Sequence, residues 1–132
     1  MNNEVLKEYY LIIKNKIISA GFHSAMANIN KLLASFPNES NAYYYMGVCN
    51  FALERYEEAM TAYLKAISLN IAHAKAYFNL GVVYYVQNDF DNALINIGKS
   101  LILFSKEKEI NSRQRCIDAL NFIQSERKTF VK

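Results

Sequence analysis

Few residues of this chain have the types and spacing that chemistry requires. The two histidines, His23 and His73, each fall near a predicted turn, and neither has a cysteine or carboxylate at the spacing of a metal ligand. The two cysteines, Cys49 and Cys116, have no histidine near them in the predicted register that could act as a base. The four glycines are scattered singly, which excludes a phosphate-binding loop. We therefore expect no catalytic residue, no metal and no cofactor, and we predict that the protein is not an enzyme.

What the chain does have is a repeat of aromatic and small residues with a period of 34. A period of this length is typical of stacked helical hairpins, each of which buries its apolar face against its neighbours. The recurring residues are Tyr9, Tyr43 and Tyr77, then Phe22, Tyr56 and Phe90, then Ala25, Ala59 and Ala93, with Gly47 and Gly81 at one position of the second and third copies.

The copies cover about residues 6–39, 40–73 and 74–107, and each divides into two amphipathic halves. Pro37 ends the first copy, and Asn38 or Ser40 is a candidate N-cap for the next helix. Asn88 and Asp89 supply a break and a cap before Phe90. Residues 70–73 contain no comparable signal, so that boundary follows from the register alone. A final helix over about 108–128 is predicted to cover the end of the stack.

The pattern resembles the tetratricopeptide repeat. The third copy carries it most fully, as Tyr77-x2-Leu80-Gly81-x2-Tyr84 followed by Phe90-x2-Ala93, and the second copy is nearly as close. The first copy departs from it with Ile13 in the glycine position and Lys16 in the tyrosine position, and the third has Ser100 in place of an alanine. The resemblance implies an all-α fold, a right-handed α-solenoid of three helical hairpins with a C-terminal capping helix, forming one domain over residues 1–132.

In the family, the first helix of each unit lines a concave groove. Carried onto this sequence, the resemblance predicts an aromatic and apolar groove with lysines at its edges. Its predicted residues are Tyr10, Tyr44, Tyr45, Phe51, Phe78, Val82 and Tyr85, with Lys7, Lys14 and Lys75 at the rim.

Such a groove favours a protein-interaction module, an adaptor or a chaperone, that binds a peptide segment of a partner protein. Two alternatives stay open: the groove is covered by the chain's own final helix or by a second copy in a homo-oligomer, or it stacks nucleic-acid bases. The lysine and asparagine clamp with which some family members hold the C-terminus of heat-shock chaperones is mostly missing, since only Lys75 matches it. With three repeats and an apolar groove, the pattern looks more like the family members that act as chaperones of secreted translocator proteins than like those that bind heat-shock chaperones.

Composition and charge bear on the class of partner and on the cellular location. The net charge of +3 is too small to demand nucleic acid or an anionic membrane as the partner. Lys14 and Lys16 interrupt the most apolar N-terminal stretch, and Glu4 and Glu8 lie where a secretory signal would carry basic residues. We expect a cytoplasmic protein with free thiols, without membrane insertion.

Overall fold

The computed structural model describes residues 2–130, and within them the regular structure consists of seven helices and no strand. The predicted all-α class is therefore confirmed. The helices are α1 (Asn2–Ile18), α2 (Phe22–Ser35), α3 (Ser40–Ala52), α4 (Tyr56–Leu69), α5 (Ala74–Val86), α6 (Phe90–Lys106) and α7 (Ile110–Phe130).

The chain divides into two compact units, Met1–Asn70 and Ile71–Lys132, here called the N-terminal and C-terminal units. In the N-terminal unit α2 packs against α1 and α3, and α3 packs against α4. One core cluster of this unit contains Ile13, Ala25, Ile29, Leu32, Ala42 and Cys49. In the C-terminal unit α6 packs against α5 and α7, around Phe90, Ala93, Ile97, Phe104, Cys116 and Ile123. That the whole chain acts as one domain stays a prediction.

The turns within the hairpins share one geometry. In each, a residue with a left-handed backbone conformation follows the helix, and the next N–H group bonds to the carbonyl five residues earlier, as in a Schellman motif. In the turn after α3, for example, the Arg55 amide donates to the Asn50 carbonyl at 2.8 Å. The left-handed residues are Ala20, Glu54 and Asn88, spaced by 34, and Lys108 in the turn between α6 and α7. None of the four is glycine, so no glycine in the sequence marks these left-handed positions.

The helix starts only partly follow the predicted caps. Asp89 does cap α6, because its carboxylate accepts from the Asn92 amide at 3.2 Å. The cap predicted for α3 is wrong, because Glu39 occupies the N-cap position without a side-chain hydrogen bond. The α5 start, which carried no sequence signal, is capped by His73, whose Nδ1 accepts from the Ala76 amide at 3.2 Å.

Two serines join the helices of a hairpin through equivalent positions. The Ser40 hydroxyl, on the first helix of its pair, donates to the Ala66 carbonyl at 2.8 Å. One repeat later the roles are exchanged, since Ser100 on the second helix donates to the Ala74 carbonyl at 2.9 Å. Ser100 is fully buried and also accepts from the Cys116 thiol on α7 at 3.6 Å. The family's alanine is thus replaced here by a hydroxyl that links three helices.

Two glycines allow the hairpins to close. A Cβ atom on Gly47 would lie 2.5 Å from the ring of Tyr63, and one on Gly81 would lie 2.5 Å from Ile97 Cγ1 and 3.1 Å from the Ala93 carbonyl oxygen. All three distances are shorter than van der Waals contact, so only glycine fits without movement of the side chains or backbone on the neighbouring helix.

Replacing Gly81 tests this packing. We expect Gly81→Ala to lower the free energy of unfolding by about 1–3 kcal/mol, because the added methyl group overpacks the α5–α6 contact. Gly98→Ala is the matched control, because a Cβ there meets nothing within 4 Å. It should stabilise the protein by up to about 1 kcal/mol through helix propensity. Denaturant unfolding of both variants measures the difference, and effects of the same sign would contradict the packing described.

The His73 cap makes stability depend on pH. Burial lowers the pKa of His73 below the ordinary 6.5, and Lys75 adds to the lowering. As the pH falls, the unfolded chain therefore takes up the proton first, and the stability present above about pH 6.5 declines towards the folded-state pKa. His73→Asn keeps a capping oxygen without a titrating group, so we expect a flatter profile of unfolding free energy between pH 7.5 and 5. The exposed His23 provides the control, and flattening in His23→Asn instead would refute the assignment.

Candidate functional site

Three of the predicted groove residues come together on α1 and α3. Tyr10, Tyr44 and Tyr45 are each half-buried, with ring centroids 5.9 Å apart for Tyr10 and Tyr45 and 5.1 Å apart for Tyr44 and Tyr45. These three residues are called the tyrosine face below. Edge-to-face and tilted ring pairs at such distances are attractive, so the rings stabilise one another in one arrangement.

The tyrosine face rests on the core of its hairpin. The Tyr44 ring lies 6.0 Å from the ring of Tyr63, which is buried on α4 and lies directly over Gly47. Because the space that Tyr63 occupies exists only where residue 47 lacks a side chain, the glycine indirectly positions the surface ring.

Tyr10 is held at its polar end as well. Its hydroxyl donates to Glu39 Oε1 at 2.9 Å, which connects α1 to the residue that precedes α3. Burial raises the pKa of Tyr10 well above the ordinary range, and the hydrogen bond to Glu39 raises it further. Burial also raises the pKa of Tyr45. Both phenols therefore stay neutral at physiological pH and can donate hydrogen bonds.

The other predicted groove residues of the N-terminal unit are Phe51, Lys7 and Lys14. Phe51, near the end of α3, packs against Tyr56, the first residue of α4, with ring centroids 5.5 Å apart. Lys7 and Lys14 are exposed on α1, and their place at the rim of a groove stays a prediction.

In the C-terminal unit, α7 lies against two of the predicted groove residues. The Arg115 guanidinium lies 5.5 Å from the centroid of the Phe78 ring, a cation–π distance. The Tyr85 hydroxyl donates to Glu126 Oε1 at 3.0 Å, and the Tyr85 ring lies 5.7 Å from the ring of Phe122. Phe78, Val82 and Tyr85 are all half-buried, and Lys75 is exposed.

Three residues of α7 therefore belong to the candidate site although the sequence analysis did not select them: Arg115, Phe122 and Glu126. Phe122 is the most informative of them, because 56% of its surface is exposed beside Tyr85. From the sequence, α7 was expected only to cover the end of the stack. The available signal was the adjacent pair Phe122 and Ile123, because two neighbouring residues of a helix do not share one narrow apolar face. In the structure Ile123 is buried and Phe122 is exposed.

The arrangement offers no activated nucleophile. Burial raises the pKa of Cys49 to about 11, and burial also raises the pKa of Cys116, so both thiols remain protonated and unreactive. Across residues 2–130, no three His, Cys, Asp or Glu side chains are grouped so that they could hold a metal ion. None of the described helices is long and apolar enough to cross a membrane.

Comparison with known proteins identifies the repeat. Residues 50–88, which run from the end of α3 to the turn before α6, match the family model of the TPR repeat. This chain is a tetratricopeptide-repeat protein. Anaphase-promoting complex subunit 3 of Schizosaccharomyces pombe is 33% identical to it over 92 residues, which are 69% of this chain but 14% of the relative. The TPR chain described here thus spans a small part of that relative's length.

Solved structures of similar fold cover nearly the whole TPR chain. The type III secretion translocator chaperone SycD of Yersinia enterocolitica superimposes with a TM-score of 0.87 at 16% identity, over 97% of this chain and 89% of SycD. PcrH, a Pseudomonas aeruginosa protein, solved in complex with the chaperone-binding region of PopD, gives a TM-score of 0.86 at 16% identity, over 96% of each chain. At this identity the comparison establishes the fold of the TPR protein.

The Tyr10–Glu39 hydrogen bond predicts a measurable stabilisation. We expect Tyr10→Phe, which keeps the ring, to lower the free energy of unfolding by about 0.5–1.5 kcal/mol. Tyr43→Phe is the matched control, because the Tyr43 hydroxyl reaches the Pro37 carbonyl only at 3.4 Å and at an exposed position. The control should change stability less. A double-mutant cycle with Glu39→Gln isolates the pair, and a coupling energy near zero would show that the bond contributes nothing.

Proposed function

We propose that the protein is a non-enzymatic interaction module, an adaptor or chaperone, which holds a peptide segment of a partner protein. In this proposal, the tyrosine face on α1 and α3 contacts apolar side chains of a peptide, and so do Phe78, Val82 and Tyr85 on α5. The protein acts as a single TPR domain in the cytoplasm, where its two buried thiols stay reduced. The observation that carries the proposal is the set of half-exposed rings whose positions are fixed by contacts with other residues of the same unit.

The rings suit recognition because they are already ordered. Tyrosine buries a large area with only two side-chain torsions, so little conformational entropy is lost when a ligand covers it. The contacts of Tyr44 with Tyr63 and of Tyr10 with Glu39 restrict these torsions before binding. A preorganised surface of this kind gains affinity by avoiding the cost of ordering.

The charge around the rings favours a peptide with some acidic residues. Lys7 and Lys14 are exposed on α1, and Lys75 is exposed on α5. Each offers three donors on a flexible stem, which suits carboxylates in more than one position. With several aromatic contacts, less the cost of ordering the peptide, we expect a dissociation constant on the order of micromolar.

The structural relatives support peptide binding as the use of this fold. SycD is a translocator chaperone, and PcrH was solved with the chaperone-binding region of PopD. The fold match does not name a partner for the present chain. The partner is therefore defined by its chemistry, an apolar segment with nearby carboxylates.

Self-association is the second candidate. Leu11, Ile12 and Ile18 on α1 are exposed, and exposed aliphatic side chains on one helix favour contact with another protein surface. A homo-oligomer joined through α1 would cover them without any foreign peptide.

Charge reversal at the lysines tests the proposal without disturbing the core. We expect Lys7→Glu with Lys14→Glu and Lys75→Glu to lose a protein that the wild type captures from an extract of its own cells. The matched control reverses three exposed lysines of α2, α6 and α7, namely Lys31, Lys106 and Lys128, and should retain that protein. The captured protein should stay bound at high salt through its apolar contacts, because only the charged part of the affinity is screened.

Three outcomes would contradict the proposal. Capture of nucleic acid that is released steeply by salt would indicate phosphate contacts instead. Recovery of the protein's own chain alone, together with a dimer in sedimentation, would favour self-association. Equal loss in the control triple variant would show that net charge matters and the predicted faces do not.

A further inference from the structure

A second surface of the N-terminal unit has the features of a binding pocket. A cavity of about 590 Å³ opens between α2, α3 and α4, and none of the predicted groove residues lines it. Its apolar wall is formed by Met26, Tyr43, Met46 and Ala62. Its volume lies within the range of about 300–1,000 Å³ that is usual for ligand sites, and such sites combine an apolar wall with a few polar groups.

The polar residue buried in the wall of this cavity is Asn50, whereas the other polar residues that line it are exposed. Asn50 lies on α3, is only 4% exposed and lines the cavity. Among the described residues its side-chain amide has no hydrogen-bond partner, while its backbone carbonyl is used by the turn after α3. Among the described residues, every side-chain nitrogen or oxygen that is closed to solvent has a hydrogen-bond partner. Because the Asn50 amide has none, it is open to solvent, and Asn50 lines the cavity.

An asparagine in this position is unusual for the core of a helical hairpin. An amide closed off from solvent without a partner would cost about 1–3 kcal/mol, and the opening of the cavity beside Asn50 avoids that cost. The equivalent position one repeat later is Tyr84, which packs against the core of the C-terminal unit. The fold therefore accepts a large side chain here, and the second copy has a short amide and an open cavity instead.

The amide selects the kind of ligand. Asparagine offers both a donor and an acceptor, and a peptide group presents the complementary pair. The thioethers of Met26 and Met46 are flexible and polarisable, and methionine is frequent on surfaces that accept varied apolar side chains. The exposed rim carries both signs, with Arg55 and Glu58, so a charged anchor gains no clear advantage.

We propose that this cavity binds a large apolar side chain of a peptide, such as leucine, whose own peptide group pairs with the Asn50 amide. The site is separate from the tyrosine face and does not depend on the function proposed above. It gives the N-terminal unit a second peptide contact, through which one chain could hold two segments of a partner.

The methionine methyl groups report on the cavity directly. In protein labelled with ¹³C-methyl methionine, we expect N-acetyl-leucine N-methylamide to shift the Met26 and Met46 signals in a saturable manner. Met60 does not line the cavity and serves as the internal reference. N-acetylglycine N-methylamide, without the side chain, and 3-methylbutan-1-ol, without the peptide group, should each bind at least several-fold more weakly.

Two variants decide the role of the amide. Asn50→Leu keeps the number and branching of the side-chain heavy atoms and removes both hydrogen bonds, and we expect it to weaken binding of the leucine probe about tenfold. Thr61→Trp, at an exposed rim position, should block entry without changing the core. It keeps the test valid if Asn50→Leu does not fold, as judged by thermal unfolding.

Several outcomes would overturn the proposal. Shifts that remain linear up to the solubility of the probe would mean that there is no site. Equal binding of the alcohol and the leucine amide, or unchanged binding in Asn50→Leu, would show a nonspecific apolar crevice. Unchanged binding in Thr61→Trp would place the probe elsewhere. The lysine variants described above do not alter this cavity, so the two proposals fail independently.

Discussion

The contact between a glycine and a large side chain on the next helix determines how the hairpins α3–α4 and α5–α6 close. Gly47 admits the ring of Tyr63, and Gly81 admits Ile97. In the first copy Ile13 takes the glycine position and is fully buried. The first hairpin therefore buries a large side chain at the position where the other two hairpins have no side chain. Because Tyr63 supports Tyr44, the same contact also determines the position of the surface rings. The packing of the hairpin and the position of the surface ring of Tyr44 thus depend on one missing side chain.

The two units differ in what lies on their aromatic residues. Tyr10, Tyr44 and Tyr45 contact one another and the core of their own unit, and they remain half-exposed. Phe78 and Tyr85 are instead in contact with α7 through Arg115, Phe122 and Glu126. In the C-terminal unit the final helix therefore contacts two of the predicted residues, which stay half-exposed, and whether it covers the groove stays a prediction. Phe122, largely exposed, extends that aromatic surface onto α7.

The sequence predicted what the repeat imposes and missed what single residues do. The period of 34 indicated the helical class, and the glycine positions and the Asp89 cap were visible in it. The His73 cap was missed because histidine is rarely a capping residue and its role depends on a neutral Nδ1. The left-handed turns at Ala20 and Glu54 carry no glycine to mark them. In α7, Ile110 is exposed whereas Cys116 is fully buried, and the predicted extent of a covering helix does not determine which of its residues are buried.

The exchanged hydroxyls of Ser40 and Ser100 have a consequence for how such repeats are compared and designed. The two equivalent positions hold serine and alanine in the second copy, alanine and serine in the third, and Leu6 and Leu32 in the first. A consensus sequence derived separately for each of these two alignment columns finds no majority residue in either column. It can therefore place serine at both positions or at neither. What the second and third copies share is the bond, which is a property of the pair. Covariation between the two columns is therefore the quantity that a designer of synthetic arrays has to preserve.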